Sequence, residues 1–238
     1  MAYSFDLHAL NERFEQATPE VIIDWAAREF GDRIAVSSSF QTQSVAMLHL
    51  ISRISPELPI IFVDTGYHFP ETLAYRDQLV DLLHINVVTV SADPDKRMDF
   101  DADGNPLHRT NPNLCCALHK TAPMAKALEN YDGWLSGIRR TQTGTRSMAQ
   151  PIERQADGLF KVNPLLTWSS RDLWTYINRN DLPTHPLFSQ GYASIGCAPC
   201  TRPIQAGEDE RAGRWSGNAK IECGLHTSDI RTASASAM

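Results

Sequence analysis

Apolar positions in the first thirty residues recur at helical spacing: Leu7, Leu10 and Phe14, then Val21, Ile22, Trp25 and Ala26. Thr18-Pro19 is a helix-start signal between the two sets, so residues 5–30 predict two helices. The period then shortens. RIAVSSS (33–39) is a brief apolar run ending in a serine-rich turn, after which Val45, Met47, Leu48, Leu50 and Ile51 return to helical spacing. PIIFVDT (59–65) reads as a second buried strand, 70–83 as a helix, INVVTV (85–90) as a third strand, 114–129 as a helix and WLSGI (134–138) as a fourth strand. KVNPLL (161–166) leads into SSRDLWTYINRN, a helix that Thr167 or Ser169 can cap. Short continuous apolar strands alternating with helices predict an α/β fold, with a mostly parallel sheet covered by helices on both faces.

Two stretches break this rhythm. Residues 91–113 are polar and rich in Asp, Pro and Asn, too long for a tight connection, and predict a mobile loop. Beyond Asn180, Pro, Gly and Cys punctuate the chain, and the last residues end in TASASAM. With no repeat and no linker composition, the organisation expected is one doubly wound domain over 1–206 and a C-terminal arm over 207–238.

The chain has 238 residues, ordinary apolar content and a net charge of −6, which disfavours a nonspecific nucleic-acid binder because phosphate backbones need a basic face. No apolar run has the length of a membrane span, and the start, MAYSFDLHALNERFEQ, lacks a signal pattern, so a cytoplasmic protein free of membrane and nucleic acid is expected. Against the acidic average, Lys120, Arg139, Arg140, Arg146, Arg202, Arg211 and Arg214 all lie near cysteines or in Gly/Thr-rich turns. They point to a small anionic ligand.

In open parallel sheets such ligands bind beyond the carboxyl ends of strands. SSSFQTQS (37–44) and VDTGYHFPET (63–72) occupy that position after the first two strands; neither is a Walker A loop, and no GxGxxG occurs. The five cysteines carry more information. Cys115 and Cys116 are adjacent, and Cys197 and Cys200 form C-x-x-C, a set open to a 4Fe-4S cluster, to zinc or to unliganded core thiols. Cys223 is left over in the polar stretch RAGRWSGNAKIECGLH, where its thiol is expected to be accessible and activated by Arg211, Arg214, Lys220 or His226.

SSSFQTQS, VDTGYHFPET, CCALHK, GIRRTQTGTR, VNPLLTWSSRDLWTYI, GCAPCTRP, ERAGRW and ECGLH together resemble the phosphoadenylyl-sulfate and adenylyl-sulfate reductase family over almost all of residues 20–228. The resemblance implies an adenine nucleotide alpha hydrolase-like fold with a modified pyrophosphate loop at 37–44 and a mobile C-terminal extension. It implies that Cys223 attacks the sulfate sulfur of adenosine 5'-phosphosulfate, that AMP leaves, and that thioredoxin or a glutaredoxin-like donor releases sulfite from the S-sulfocysteine. It further implies one 4Fe-4S cluster on Cys115, Cys116, Cys197 and Cys200. By position, Lys120, Arg139, Arg140, Arg211 and Arg214 are expected to balance phosphate and sulfate charge, and Ser37, Ser38, Ser39, Gln41, Asp64, Thr65 and Gly66 to line the nucleotide pocket. WSGNAKI after Arg214 lacks the tryptophan run of many relatives. Turnover of the 3'-phosphorylated nucleotide, a non-catalytic metal-binding redox sensor and a homo-oligomeric assembly are the alternatives left open.

Overall fold

The computed structural model describes residues 3–218, 220–226 and 230. Six strands form one sheet: β1 (Ile34–Ser37), β2 (Ile60–Asp64), β3 (Val87–Ser91), β4 (Gly133–Ser136), β5 (Ile152–Arg154) and β6 (Phe160–Val162). Their spatial order is β3-β2-β1-β4-β6-β5. All neighbours are parallel except the β5–β6 hairpin, which closes one edge. The sheet runs outward in both directions from β1 and β4, and a crevice opens at such a reversal of strand order.

Alternation along the strands divides the core in two. Ile34, Val36, Ile60, Phe62, Leu135, Phe160 and Val162 face the larger cluster, shared with α1 (Leu7–Glu15), α2 (Pro19–Phe30), α3 (Ser44–Ile54), α4 (Pro70–Leu83) and α8 (Ser170–Arg179). Ala35, Ile61, Val63 and Trp134 face the other side and pack on Met124, Ala125 and Leu128. Those three residues belong to α7 (Ala122–Leu128). Helices on both faces follow, as the strand pattern predicts. Each fully buried Leu, Ile, Val or Phe removes roughly 1.5–3 kcal/mol of apolar exposure, so the sheet is a rigid platform for the loops at its carboxyl edge.

Local signals set the helix ends. Pro19 and Pro70 occupy first-turn positions of α2 and α4. Ser169, rather than Thr167, caps α8, in a reciprocal box with Asp172. The helix expected over 114–129 is interrupted: α6 (Pro112–Cys116) passes through a π-helical turn, Ala117–Thr121, before α7. Pro123 in the first turn of α7 has no N–H to return to the preceding turn, which gives a physical reason for the widened ladder.

The loop expected to be mobile over 91–113 is tied down instead. It contains the short helix α5 (Leu107–Thr110), Asp101 accepts the backbone N–H groups of Asp103 and Asn105, and Phe100 bridges to Pro106. Tyr67 donates to Asp99, and the Met98 carbonyl accepts from His119 Nε2 at 3.0 Å. The described part of the C-terminal arm also lies against the sheet: Leu225 and Ile230 join the cluster around Trp134, and His226 stacks on the indole at 5.5 Å.

Candidate active site

A cleft lies at the strand-order reversal. Ser37, Ser38 and Ser39 enter it from the end of β1 and its following loop, Ser136, Gly137, Ile138 and Arg139 from the end of β4 and beyond, and Ile61, Val63 and His68 from β2 and its following turn. Gln41 and Gln43 come from the loop, and Lys120, Arg146, Arg211, Arg214, Glu222, Cys223 and His226 complete the wall. Five cations and one carboxylate therefore surround the space, the electrostatics expected of an anion site.

The 37–44 loop is held from beneath. Phe40 is fully buried at φ 49°, a left-handed conformation unusual for a bulky residue, and its ring meets Phe62 edge-on at 5.5 Å. Gln41 Oε1 accepts from the Ile195 backbone at 3.2 Å, and Ser37 Oγ accepts from the Trp134 indole at 2.8 Å. Arg139 is only 1% exposed, and its guanidinium donates to Gln43 and Ser170 rather than to a carboxylate. Burial holds its pKa below the ordinary arginine value, with Glu210 acting in the opposite direction.

A second cavity adjoins the first. Cys115, Cys116, Cys197 and Cys200 line it together with Thr65, Tyr67, His108 and His119. The C-x-x-C segment is brought there by an antiparallel bridge between His68 and Cys197 and by the Ala198 N–H donating to Tyr67 O at 2.7 Å. All four thiols are free. Burial, then the other three cysteines, pushes the Cys115 thiol up to about 12, and burial followed by Cys197 and Cys116 pushes Cys200 up to about 11. Thiols so placed stay protonated unless a positive centre joins them. Four soft donors lining one cavity fit a polynuclear thiolate-bound group. Among the described residues, no three His, Cys, Asp or Glu side chains are grouped to hold a single metal ion.

Lys120, Arg214, Trp215 and Cys223 line both cavities and form the wall between them. Arg214 passes beside Gly196, where a Cβ would stand 2.1 Å from its guanidinium, and lies 4.5 Å over the Trp215 ring. Cys223 is half-buried rather than freely accessible, because Glu222 and Leu225 on either side turn inward despite the polar sequence around them. Burial alone raises a thiol pKa. Here Lys120, the Leu225 backbone N–H and Arg214 outweigh burial and the opposing Glu222, and the Cys223 thiol sits below its ordinary value. Desolvation, then the charges of Lys161, Arg146 and Lys120, hold the half-buried His226 well below the usual histidine range.

Four expected pocket residues stand elsewhere. Arg140 points away from the cleft, paired with Glu15 of α1 and bonded to the Ala149 carbonyl at 2.9 Å. Asp64 folds back to accept from Gly66 N at 2.9 Å, and the Arg97 guanidinium covers Gly66. Thr65 faces the cysteines, with Oγ1 3.4 Å from Cys197 Sγ. Ser37, Ser38, Ser39, Gln41, Lys120, Arg139, Arg211, Arg214 and Cys223 do share the cleft. His68, Gln43, Arg146 and Glu222 are among the polar lining residues outside the expected pocket set; each lies in a stretch the sequence marks, VDTGYHFPET, SSSFQTQS, GIRRTQTGTR and ECGLH, but nothing there singles out the residue itself.

The model of the phosphoadenosine phosphosulfate reductase domain matches residues 33–203, which contain both loops and all four paired cysteines. The chain belongs to this reductase family. It is 44% identical over 228 residues to the adenosine 5'-phosphosulfate reductase of Streptomyces coelicolor, covering 93% of this chain and 95% of that one. It is 39% identical over 224 residues to the phosphoadenosine 5'-phosphosulfate reductase of Gloeobacter violaceus, covering 92% and 93%. Among solved structures, the phosphoadenylyl-sulfate reductase of Candida auris superposes with a TM-score of 0.72 at 24% identity, over 85% of this chain and all of that one. The FMN adenylyltransferase of Candida glabrata follows with a TM-score of 0.57 at 17% identity, over 93% and 81%, and these two likenesses speak to the fold alone. The protein is thus an oxidoreductase on an adenine nucleotide alpha hydrolase-like scaffold. No helix among the described residues is long and apolar enough to cross a membrane.

Proposed function

We propose that the chain reduces adenosine 5'-phosphosulfate to sulfite and AMP in the cytoplasm, within sulfate assimilation, drawing electrons from thioredoxin or a glutaredoxin-like protein. The observation that carries this reading is the position of Cys223: a thiol of lowered pKa on the wall of a cationic cleft, between Lys120 and Arg214. Its thiolate attacks the sulfate sulfur. The sulfur–oxygen bond to phosphate breaks, AMP leaves with the electron pair on its phosphate oxygen, and an S-sulfocysteine forms. Lys120, Arg211 and Arg214 face the charge that grows on that oxygen, while buried Arg139 positions the 37–44 loop through Gln43. A thioredoxin thiolate then attacks Cys223 Sγ, sulfite departs with the bonding pair, and the second thioredoxin cysteine resolves the mixed disulfide.

Cys115, Cys116, Cys197 and Cys200 would hold a 4Fe-4S cluster, whose iron would keep these thiols ionised and tied together. Lys120 and Arg214, shared by both cavities, keep positive charge between the cysteines and the nucleophile. In this reading residues 1–206 are the nucleotide- and cluster-binding domain, and 207–238 are the C-terminal arm that delivers Cys223 and must release it to a protein reductant.

The Gloeobacter violaceus relative, named for the 3'-phosphorylated nucleotide, favours a second reading in which both nucleotides serve. Sulfite formation from each nucleotide side by side, with reduced thioredoxin and anaerobically purified protein, tests the assignment. The expected outcome is a higher kcat/KM for adenosine 5'-phosphosulfate in a brown protein with about four irons per chain. Equal or higher kcat/KM for the 3'-phosphorylated form would transfer the protein to the second reading, and a colourless protein holding one zinc would remove the cluster.

A further inference from the structure

An acid next to the nucleophile is chemically out of place. Glu222 repels an anionic substrate and opposes ionisation of the neighbouring thiol, so its burial on the cleft wall needs another reason. Its side chain is 3% exposed and lies 2.9 Å from the guanidinium of Arg146, itself 8% exposed. The same carboxylate is 3.6 Å from Arg211 and accepts from Thr143 Oγ1 at 3.3 Å. Arg146 is anchored on its other side by Gln142, and Arg211 donates to the Ile221 carbonyl at 3.2 Å. The ion pair spans 76 positions in sequence, from the turn after β4 to the arm, and so fastens the arm to the platform one residue before Cys223.

We propose that Glu222 is a positioning residue: its carboxylate docks the arm into Arg146 and Arg211, seating Cys223 in the wall between the two cavities. This rests on Cys223 as the nucleophile. A buried pair is costly to break from one side, because the remaining charge is left unpaired in a poorly solvated site. The docked arm is therefore well defined while the cleft is empty. The two guanidiniums that hold it also line the cleft assigned above to the anionic substrate. An incoming anion competes with Glu222 for them, which loosens the arm as the reaction proceeds and supplies the release that a protein reductant requires.

Three readouts separate docking from a merely structural or electrostatic role. In free holoprotein, the isosteric Glu222→Gln should alkylate at Cys223 with iodoacetamide at least about tenfold faster than wild type, as expected for an arm that has lost a buried ionic anchor. Its kcat should fall while KM stays level or drops, because Arg146 and Arg211 lose their internal competitor. Removing a negative charge also eases ionisation of the thiol, so the deciding variant is the exchanged pair, Arg146→Glu with Glu222→Arg. Docking predicts that the exchanged pair brings alkylation back toward the wild-type rate, although it places a cation next to the thiol. Glu222→Asp, with the carboxylate kept and the chain one methylene shorter, should fall between wild type and Glu222→Gln.

Wild-type alkylation in Glu222→Gln, or alkylation of the exchanged pair faster than Glu222→Gln alone, would overturn the proposal. Failure of the underlying reading looks different: Cys223→Ser would continue to release sulfite, whatever the alkylation rates.

Discussion

Phe40 links the core to the nucleotide loop, and its substitution yields a prediction with a sign. The ring is fully buried against Phe62, yet the residue holds φ 49°. A left-handed conformation costs an L-residue roughly 1–2 kcal/mol, whereas burying a phenylalanine in a packed core is worth about 3–5 kcal/mol against alanine. Packing wins, and the strain persists because the ring is clamped. Phe40→Ala removes the clamp and keeps the strain, so unfolding should be easier by about 3–5 kcal/mol. Phe40→Gly loses the same packing but regains the roughly 1–2 kcal/mol of strain, less about 0.5–1 kcal/mol for the extra freedom of unfolded glycine. It should therefore be the more stable of the two by up to about 1.5 kcal/mol, the reverse of the order at an ordinary position.

Both Phe40 variants should bind AMP more weakly than wild type, because the serines and Gln41 sit on the loop that the ring anchors. Chemical denaturation of the anaerobic proteins and calorimetric AMP titration read the two effects. An alanine variant more stable than the glycine variant would refute the strain argument, and unchanged AMP affinity would show that the ring does not hold the loop.

Lys120→Gln removes the largest of the influences that lower the Cys223 thiol, leaving burial and Glu222 to raise it; the pH profile of Cys223 alkylation should move to higher pH, and sulfite turnover should fall most at the acid end. An unshifted profile would exclude Lys120 as the activating charge. His185, 1% exposed and hydrogen-bonded to Thr72 and the Leu187 N–H, has its pKa pushed down to about 4 by burial. The folded pKa lies below the unfolded value, so the unfolded chain binds the extra proton first. Stability should fall as pH drops from about 6.5 to about 4, by up to about 3 kcal/mol. Denaturation midpoints of wild type and His185→Asn across that range should converge at low pH; parallel curves would sink the idea.

The contrast between expected and observed structure has identifiable causes. β1, β2 and β4 are legible because each is a continuous apolar run buried on both faces, the edge strand β3 because its valines recur in a short β-branched run although none is fully buried, and α8 because Ser169 and Asp172 sit at capping-box spacing. The β5–β6 hairpin is not, since Ile152–Arg154 contributes three residues and one buried apolar side chain. The π-turn is hidden because apolar spacing continues through it. Arg139 and Arg140 are indistinguishable in sequence, yet Arg139 turns into the cleft and Arg140 goes to Glu15. The arm misleads most. Its local polarity suggests exposure, but its partners, Trp134, Met124 and Arg146, come from distant segments. The cysteine set is the reverse case: chemistry alone marks it, because few residues other than thiols would recur as an adjacent pair and a C-x-x-C in this setting.

The most direct test of the central claim, that Cys223 accepts the sulfonyl group, is peptide-resolved mass spectrometry of protein incubated with adenosine 5'-phosphosulfate and no thioredoxin. The account predicts one sulfonate adduct per chain, on Cys223, that disappears with release of one sulfite when reduced thioredoxin is added. An adduct on Cys115, Cys116, Cys197 or Cys200, or continued sulfite turnover by Cys223→Ser, would contradict it.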